Sequence, residues 1–228
     1  MISDFLLEDD SLNGCKKQFF DDNYLYIENF LPEKTADEIY NWYSKEMNPN
    51  WWKQHSVKGT IFYNRNETEV NALISKQAIN SKESKAYLFS QTTDHHNGCP
   101  CFECEKIKPI FNSPECLKFI NFVTNKPIKQ AKKIYCKKME SGDFICSDNK
   151  IYHNAVLQFN YCITKKWSLN WGGLKLILDS NNNINYPEIS AYNSLIIKGH
   201  KELSKTNLIT PIAEKVVEKQ YEVFGFFE

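Results

Sequence analysis

The chain has 228 residues, of which 42% are hydrophobic and 14% aromatic, enough for one domain with a sizeable core. Basic and acidic residues both number 28, so no net field attracts nucleic acid or an anionic membrane surface. No segment has the apolar length to span a bilayer, and the amino terminus lacks the pattern of a secretory signal. We therefore expect a cytoplasmic protein without membrane or nucleic-acid partners, whose eight cysteines are reduced thiols.

The first half of the chain is predicted to be rich in helices. Residues 24–31 favour a strand that ends at Pro32, and the Pro-Glu-Lys-Thr sequence there is typical of a helix start. Apolar residues on one face of that helix follow at Ala36, Ile39, Tyr40 and Tyr43. Further predictions are strand or loop packing at 51–52 and 61–63, a short helix within 64–84, a strand at 87–89, and a helix from Pro114.

From Ala131 onwards the pattern changes to short β segments separated by turns. The predicted segments are 131–138, 155–163, 173–179, 192–198, 206–212 and 219–227. Several short strands at this spacing are typical of a sandwich or jelly roll. The predicted fold class is therefore α+β, mainly β: a double-stranded β-helix (jelly roll) with flanking N-terminal helices, in one domain spanning residues 1–228.

Two features of these strands bear on the core. Cys136, Cys146 and Cys162 lie in apolar segments and are predicted to be small core residues. Six lysines fall between Lys126 and Lys138, and their alternation with apolar residues predicts a solvated strand face rather than a phosphate-binding stripe.

Two motifs carry the most specific information: Ser141-Gly-Asp-Phe-Ile145, and the segment from Trp167 through Trp171-Gly-Gly-Leu174. Both place glycine where a tight turn needs positive φ or close backbone approach. In order and spacing they resemble the iron and 2-oxoglutarate-dependent oxygenases of the prolyl-4-hydroxylase-like group, and the resemblance covers about residues 20–228. The other segments that carry it are 24–31 with the following Pro-Glu helix, 119–125, 159–164, 193–197 and 225–227.

The resemblance implies positions for an iron site, and these positions are changed. In the family, a His-x-Asp pair after the turn holds the iron; the corresponding residues here are Asp148 and Lys150. The distal histidine position falls on Thr206, or on Lys205 with a one-residue slip. A lysine ammonium has no acceptor and repels a cation. The basic residue that pairs with the 5-carboxylate of 2-oxoglutarate falls on Gln220, beside Lys219.

A rearranged site is the alternative. A facial triad needs two imidazoles and one carboxylate. Asp148, His153 and His200 together supply those ligand types. In that case Fe(II) and 2-oxoglutarate would be cofactors of the protein.

A Cys/His-rich insertion at about 94–104 predicts a second metal site. Zinc favours mixed sulfur and nitrogen ligands, and the Cys-x-x-Cys spacing lets one turn aim two thiolates at the same ion. The candidate ligands are His95, His96, Cys99, Cys101 and Cys104. The alternatives are a loop of free thiols or a redox pair, so structural zinc is a prediction that metal analysis must decide.

Three functions follow from these observations. The first is an oxygenase-like protein without the usual iron site, acting as a structural or interaction module with a protein partner or as a homo-oligomer. The second is an active hydroxylase of an amino-acid side chain or small metabolite, working through the rearranged site. The third is a zinc-stapled domain that binds a ligand without oxidising it.

Overall fold

The computed structural model describes residues 2–56, 87–92, 101–145, 156–179, 181, 183–188, 190–199 and 206–228. The predicted elements at 61–63 and within 64–84 lie outside these residues. In the described part of the chain, no helix is long and apolar enough to cross a membrane.

Within the described residues, four α-helices cover one side of the sheet: α1 (Asp9–Asp22), α2 (Glu33–Asn41), α3 (Lys108–Phe111) and α4 (Pro114–Thr124). Their ends follow local chemistry. Pro114 opens α4, and the Ser113 side chain caps it by accepting a hydrogen bond from the Cys116 backbone N–H at 3.2 Å. Both α1 and α4 end at an asparagine with positive φ, Asn23 and Asn125, a left-handed conformation that asparagine tolerates.

Short 3₁₀ and π-helical turns complete the described helical segments. Asp4–Leu7, Pro49–Trp51 and Leu169–Trp171 are 3₁₀ turns. Trp42–Glu46 and Glu103–Ile107 are π-helical turns, which continue α2 and precede α3 respectively.

Eleven described strands form one antiparallel sheet. They are β1 (Tyr24–Ile27), β2 (Trp52–Ser56), β3 (Tyr87–Thr92), β4 (Ala131–Met139), β5 (Phe144–Ile145), β6 (Leu157–Cys162), β7 (Lys175–Leu178), β8 (Ile184–Glu188), β9 (Ser194–Lys198), β10 (Thr206–Ile209) and β11 (Gln220–Phe227). The order is β1-β9-β6-β11-β4-β3-β5-β10-β7-β8, and β2 pairs with β3.

The sheet curls so that its two halves face each other. The side chains of Lys175 on β7 and Glu222 on β11 form an ion pair, although these strands are far apart in the sheet order. Lys198 on β9 and Glu188 on β8 likewise meet across the interior. The half β1-β9-β6-β11-β4 is called the major sheet below, and β5-β10-β7-β8 the minor sheet. This arrangement confirms the predicted mainly β jelly roll with N-terminal helices.

The main core lies between the helices and the outer face of the major sheet. Aromatic rings dominate it: Phe159 stacks on Phe111 at 4.3 Å between ring centroids, and Phe227 lies 4.8 Å from Phe159. Cys136 and Cys162 are buried, as predicted for small core residues, whereas Cys146 lies outside the described residues.

Helices α1 and α3 and strand β8 are among the elements that escaped prediction. Helix α1 was missed because its sequence is mostly polar, although Leu12, Cys15 and Phe19 have helical spacing and contact the core. Strand β8 was missed because it contains Pro187. Proline cannot donate to a ladder and is tolerated at a sheet edge, and β8 is the last strand in the observed order.

Candidate functional site

The Gly-Asp-Phe turn joins β4 to β5 and is fixed by backbone hydrogen bonds. Gly142 has φ of 83°, and its N–H donates to the Ile212 carbonyl at 3.0 Å. Asp143 is buried; its carboxylate accepts a hydrogen bond from the Glu140 N–H at 2.9 Å, and its own carbonyl accepts one from the Ile212 N–H at 3.0 Å. The turn therefore clamps the strand end to the segment that follows β10.

The Trp-Gly-Gly-Leu corner is a close approach between two backbone segments. Gly172 has φ of 79°, and a Cβ at this position would lie 2.0 Å from the Pro211 carbonyl oxygen. The Trp167 indole N–H donates to the Gly172 carbonyl at 2.9 Å, which closes the corner from the other side. No side chain fits in this space, so the glycine is required by packing as well as by φ.

The position predicted to anchor 2-oxoglutarate holds a neutral side chain with a partner. Gln220, the first residue of β11, donates from its amide to the Gly173 carbonyl at 3.2 Å. The neighbouring Lys219 has an exposed side chain (43%) and pairs with Glu140 at 3.3 Å. Gln220 and Lys219 thus help to hold the corner and the turn described above.

Most of the predicted iron positions cannot be placed. Asp148, Lys150, His153, His200 and Lys205 lie outside the described residues. Thr206 begins β10, where it pairs with Leu178. On the following residue, the side-chain oxygen of Asn207 is buried and accepts no hydrogen bond from the described part of the chain.

The interior of the barrel contains a network of buried charges, which we call the interior ion network: Lys137, Lys175, Glu188, Lys198 and Glu222. Glu188 forms ion pairs with Lys175 at 2.6 Å and with Lys198 at 2.5 Å. Glu222 pairs with Lys137 at 2.7 Å and with Lys175 at 3.4 Å. Lys175 therefore links the two carboxylates, and the network joins β4, β9 and β11 of the major sheet to β7 and β8 of the minor sheet.

Burial of these side chains is close to complete. The Glu188 side chain is 0% exposed, that of Lys198 3%, and none of the other three exceeds 14%. Two buried amides extend the polar interior: Gln158 donates to the Asn160 side chain at 2.8 Å. A charge buried this deeply is tolerated only when it is paired, which explains the chain of contacts.

Lys175, Glu188 and Glu222 hold one another in the ionised state. Burial raises the pKa of both glutamates, but the lysines outweigh it and hold the pKa of Glu188 and of Glu222 below the ordinary value. Burial lowers the pKa of Lys175, but Glu188 and Glu222 outweigh it and raise that pKa. The pKa of Lys198 is lowered, first by burial and then by the charge of Lys175.

The sequence matches the family described as "Oxoglutarate and iron-dependent oxygenase degradation C-term" over residues 1–207. The chain belongs to this oxygenase family. Among curated protein sequences, none gives a significant match.

Solved structures of oxygenases share the fold. A prolyl hydroxylase from Trichoplax adhaerens, solved with a hypoxia inducible factor peptide, has a TM-score of 0.63 at 12% identity, covering 99% of this chain and 93% of that one. A 2OG-Fe(II) oxygenase family oxidoreductase from Burkholderia pseudomallei has a TM-score of 0.59 at 9% identity, covering 97% and 92%. The alpha-ketoglutarate dependent epimerase SnoN from nogalamycin biosynthesis has 0.57 at 8%, covering 97% and 83%. At these identities the likeness concerns the fold alone.

The interior ion network by itself does not supply a ferrous facial triad. Such a site needs two imidazoles and a free carboxylate. The interior ion network contains no histidine, and its two carboxylates each contact two lysines. Within the described residues, no three His, Cys, Asp or Glu side chains lie close enough together to hold a metal ion.

The sequence prediction of solvated lysines on β4 was wrong for Lys137, although Lys132 and Lys133 are exposed as expected. The lysines of 126–138 were expected on a solvated strand face, but the Lys137 side chain is only 11% exposed and belongs to the interior ion network. Strand β4 has no solvated face at this point, because helices cover one side and the minor sheet the other. The burial of Lys137 follows from its strand pairing, since it lies directly opposite Glu222 in the register of β4 with β11.

Two of the five predicted zinc ligands, Cys101 and Cys104, lie within the described residues. Cys101 is buried, Cys104 is half-buried, and neither forms a disulfide. They flank the start of the π-helical turn Glu103–Ile107, where the carboxylate of buried Glu103 accepts hydrogen bonds from Tyr43 at 2.7 Å and Thr92 at 3.2 Å. His95, His96 and Cys99 lie outside the described residues, so zinc binding stays a prediction.

Proposed function

We propose that this protein is a non-catalytic member of the oxygenase family and acts as a structural or interaction module. The observation that carries the proposal is the interior ion network, because it places three lysines and two lysine-paired carboxylates between the two sheets. The changed residues Asp148, Lys150 and Thr206 in the family's iron positions agree with it.

Electrostatics is the first argument. Lys137 and Lys175 match the two glutamates in formal charge, and Lys198 adds a further positive charge when its ammonium is protonated. A divalent cation in the same barrel would be repelled by that charge, and the repulsion is strong where water does not screen it. A carboxylate taken from the network to serve as a metal ligand would leave a buried ammonium without its partner.

The co-substrate position gives the second argument. A dicarboxylate such as 2-oxoglutarate needs a cationic or strongly donating anchor. Gln220 is neutral and donates to Gly173, while Lys175, a cation of the barrel interior, is paired with Glu188 and Glu222. Binding of 2-oxoglutarate would have to compete with those carboxylates for the same lysine.

Anaerobic titration of the purified protein with Fe(II) and 2-oxoglutarate, followed by addition of oxygen before succinate is measured, tests the proposal. An active prolyl hydroxylase serves as the positive control for the visible charge-transfer band and for succinate formation. We expect neither signal from this protein. A charge-transfer band, or succinate above the level of a heat-denatured sample, would favour the active hydroxylase with the rearranged set Asp148, His153 and His200 instead.

The partner of such a module is tested separately. Size-exclusion chromatography with light scattering over a range of protein concentrations distinguishes a monomer from a homo-oligomer, and crosslinking in cells captures a protein partner. A monomer with no partner would leave the non-catalytic assignment without an interaction role and would overturn that half of the proposal.

Structural zinc is the finer proposal for the Cys/His-rich insertion. Cys101 and Cys104 lie at one end of the predicted ligand set and are close together in sequence at the Cys-x-x-Cys spacing, which supports it. Metal analysis of protein purified without chelators should find zinc, and Cys104→Ser should reduce the content. Full zinc loading of the double variant Cys101→Ser/Cys104→Ser would contradict this ligand set.

A further inference from the structure

A second charged cluster lies at the surface, on the opposite side of the major sheet from the interior ion network. Its walls are Asp37 and Tyr40 on α2 and Tyr192 just before β9, and we call these three residues the cation cage. The ammonium of Lys165, from the irregular segment after β6, occupies it. None of these residues belongs to the predicted iron, 2-oxoglutarate or zinc positions.

Three contacts hold the ammonium. Lys165 Nζ lies 5.3 Å from the centroid of the Tyr40 ring and 5.2 Å from that of the Tyr192 ring. The two rings are nearly perpendicular, with 6.4 Å between centroids. Asp37 Oδ1 lies 2.6 Å from the same nitrogen. Two π faces and a carboxylate around one cation form the arrangement that aromatic cages use to bind ammonium groups.

The walls of the cage are held without help from Lys165. The Tyr192 hydroxyl donates to Asp37, which fixes the ring against the helix. The next residue, Asn193, is buried and bonds both the N–H and the carbonyl of Leu31 through its side chain, at 3.0 and 2.7 Å. Helix α2 is anchored in the core by Ala36 and Ile39. The cage is therefore preorganised for a cation.

The occupant is held less firmly than the walls. Lys165 has a side chain that is 32% exposed and that of Asp37 is 39% exposed, so water screens their ion pair. The preceding residue, Thr164, is fixed by hydrogen bonds with Tyr221, its hydroxyl accepting from the Tyr221 N–H at 2.9 Å. The Lys165 side chain can therefore leave the cage while the backbone of the segment keeps its place.

We propose that the cation cage is a binding site for a lysine ammonium of a partner protein, and that Lys165 is an internal plug that competes with it. The short contact to Asp37 requires an N–H on the bound group, since a hydrogen bond is donated across it. The site should therefore prefer a primary ammonium to a fully methylated one. This inference does not depend on whether the barrel binds iron.

The test uses n-butylammonium as a probe for a lysine side chain, with the full-length protein and its Lys165→Ala variant. Backbone amide signals of Tyr40 and Tyr192 are followed by NMR during titration. We expect saturable shifts in Lys165→Ala and at least tenfold weaker binding in the wild type. Lys166→Ala, which changes the neighbouring exposed lysine, is the matched control and should behave as the wild type.

Two further measurements make the result specific. Adding Asp37→Asn to Lys165→Ala should weaken probe binding at least tenfold while the circular dichroism spectrum stays unchanged. Tetramethylammonium, which has no N–H, should bind the Lys165→Ala variant more weakly than n-butylammonium. If Lys165→Ala does not fold, Lys165→Gln serves as the second variant, because it keeps the length of the side chain and removes the charge.

Equal affinities of the wild type and Lys165→Ala for n-butylammonium would contradict the role of Lys165 as a competing plug. Absence of saturable shifts in both proteins would contradict the binding site itself. Tetramethylammonium binding as tight as n-butylammonium binding would overturn the preference for a primary ammonium. Arginine-derived methylguanidinium is the last arm: tighter binding of that probe would assign the cage to a guanidinium instead and contradict the proposal.

Discussion

The two faces of the major sheet differ in chemistry although the same strands build both. On the face under the helices, β6 presents Phe159 and Tyr161, which pack in the aromatic core. On the barrel face, the same strand presents the amides of Gln158 and Asn160. Strand β11 repeats the pattern, with Val223 towards the helices and Glu222 in the interior ion network.

This contrast teaches what holds each layer together. The helix face is stabilised by apolar burial, which has no direction and tolerates volume-conserving changes. The barrel face depends on paired charges, where each carboxylate serves two lysines and the loss of one partner leaves another charge buried. The first layer should therefore respond to changes in volume, and the second to changes in charge.

The largest expected effect comes from removing one carboxylate. Glu222→Gln keeps the shape of the side chain but leaves Lys137 and Lys175 with less compensation, and should lower the free energy of unfolding by about 3–5 kcal/mol. The neighbouring Val223→Ala is the matched change on the helix face and should cost about 2 kcal/mol. Urea denaturation measures both. A smaller cost for Glu222→Gln than for Val223→Ala would contradict the contrast.

The ion pair of Glu188 with Lys198 gives a second test of the charge dependence of the barrel face. Glu188→Gln alone should cost about 3–5 kcal/mol, because Lys198 loses its carboxylate. Adding Lys198→Met to that variant should recover a large part of this cost, since the unpaired ammonium is gone. A double-mutant cycle should give a coupling free energy of about 1–3 kcal/mol. Additive effects would mean that the pair contributes nothing.

Overpacking tests the helix face by volume. A Cβ at Gly225 on β11 would lie 2.7 Å from the Phe159 ring and 3.1 Å from Ile134. Gly225→Ala should therefore lower the free energy of unfolding by about 1–3 kcal/mol, with no dependence on pH. Thermal denaturation at two pH values checks both statements, and a pH-dependent cost would be evidence against a purely steric cause.

The smallest effect is the dependence of stability on acid. The pKa values of Glu188 and Glu222 are lowered by folding from the ordinary 4.5, so the unfolded chain binds protons first as the pH falls. Their contribution to stability is complete well above pH 4.5 and is lost as the pH falls below it. The free energy of unfolding of the wild type should therefore fall between pH 5 and pH 3. Urea denaturation at intervals of roughly 0.5 pH units measures this, and the free energy should fall less steeply with pH in Glu222→Gln. Equal slopes would contradict the assignment.

The sequence predicted more of the fold than of the site. Periodicity located α2, α4 and six of the later strands, because their apolar residues recur at helical or alternating spacing. The glycines of the Trp-Gly-Gly-Leu corner predicted a close backbone approach, but not that Pro211 is the residue that Gly172 approaches. Strand β8 was missed, since its pairing with β7 overrides the local preference of Pro187.

The site depended on pairs that no local pattern reveals. Lys137 was assigned to solvent because a lysine in an alternating strand is usually exposed. Its partner Glu222 is 85 positions away in the sequence, and only the antiparallel register of β4 and β11 places the two side chains opposite each other. The same holds for Lys165, whose cage is assembled from α2 and the segment before β9.

By itself the sequence determined the class of fold, the family resemblance and the changed residues at the family's iron positions, because these follow from spacing and side-chain type. Tertiary structure alone decided that five charged residues from five strands meet inside the barrel, and that Lys165 lies against two tyrosine rings. The physical reason is that a charge can be buried only beside its partner, and partners far apart in the chain meet only when the sheet curls and closes.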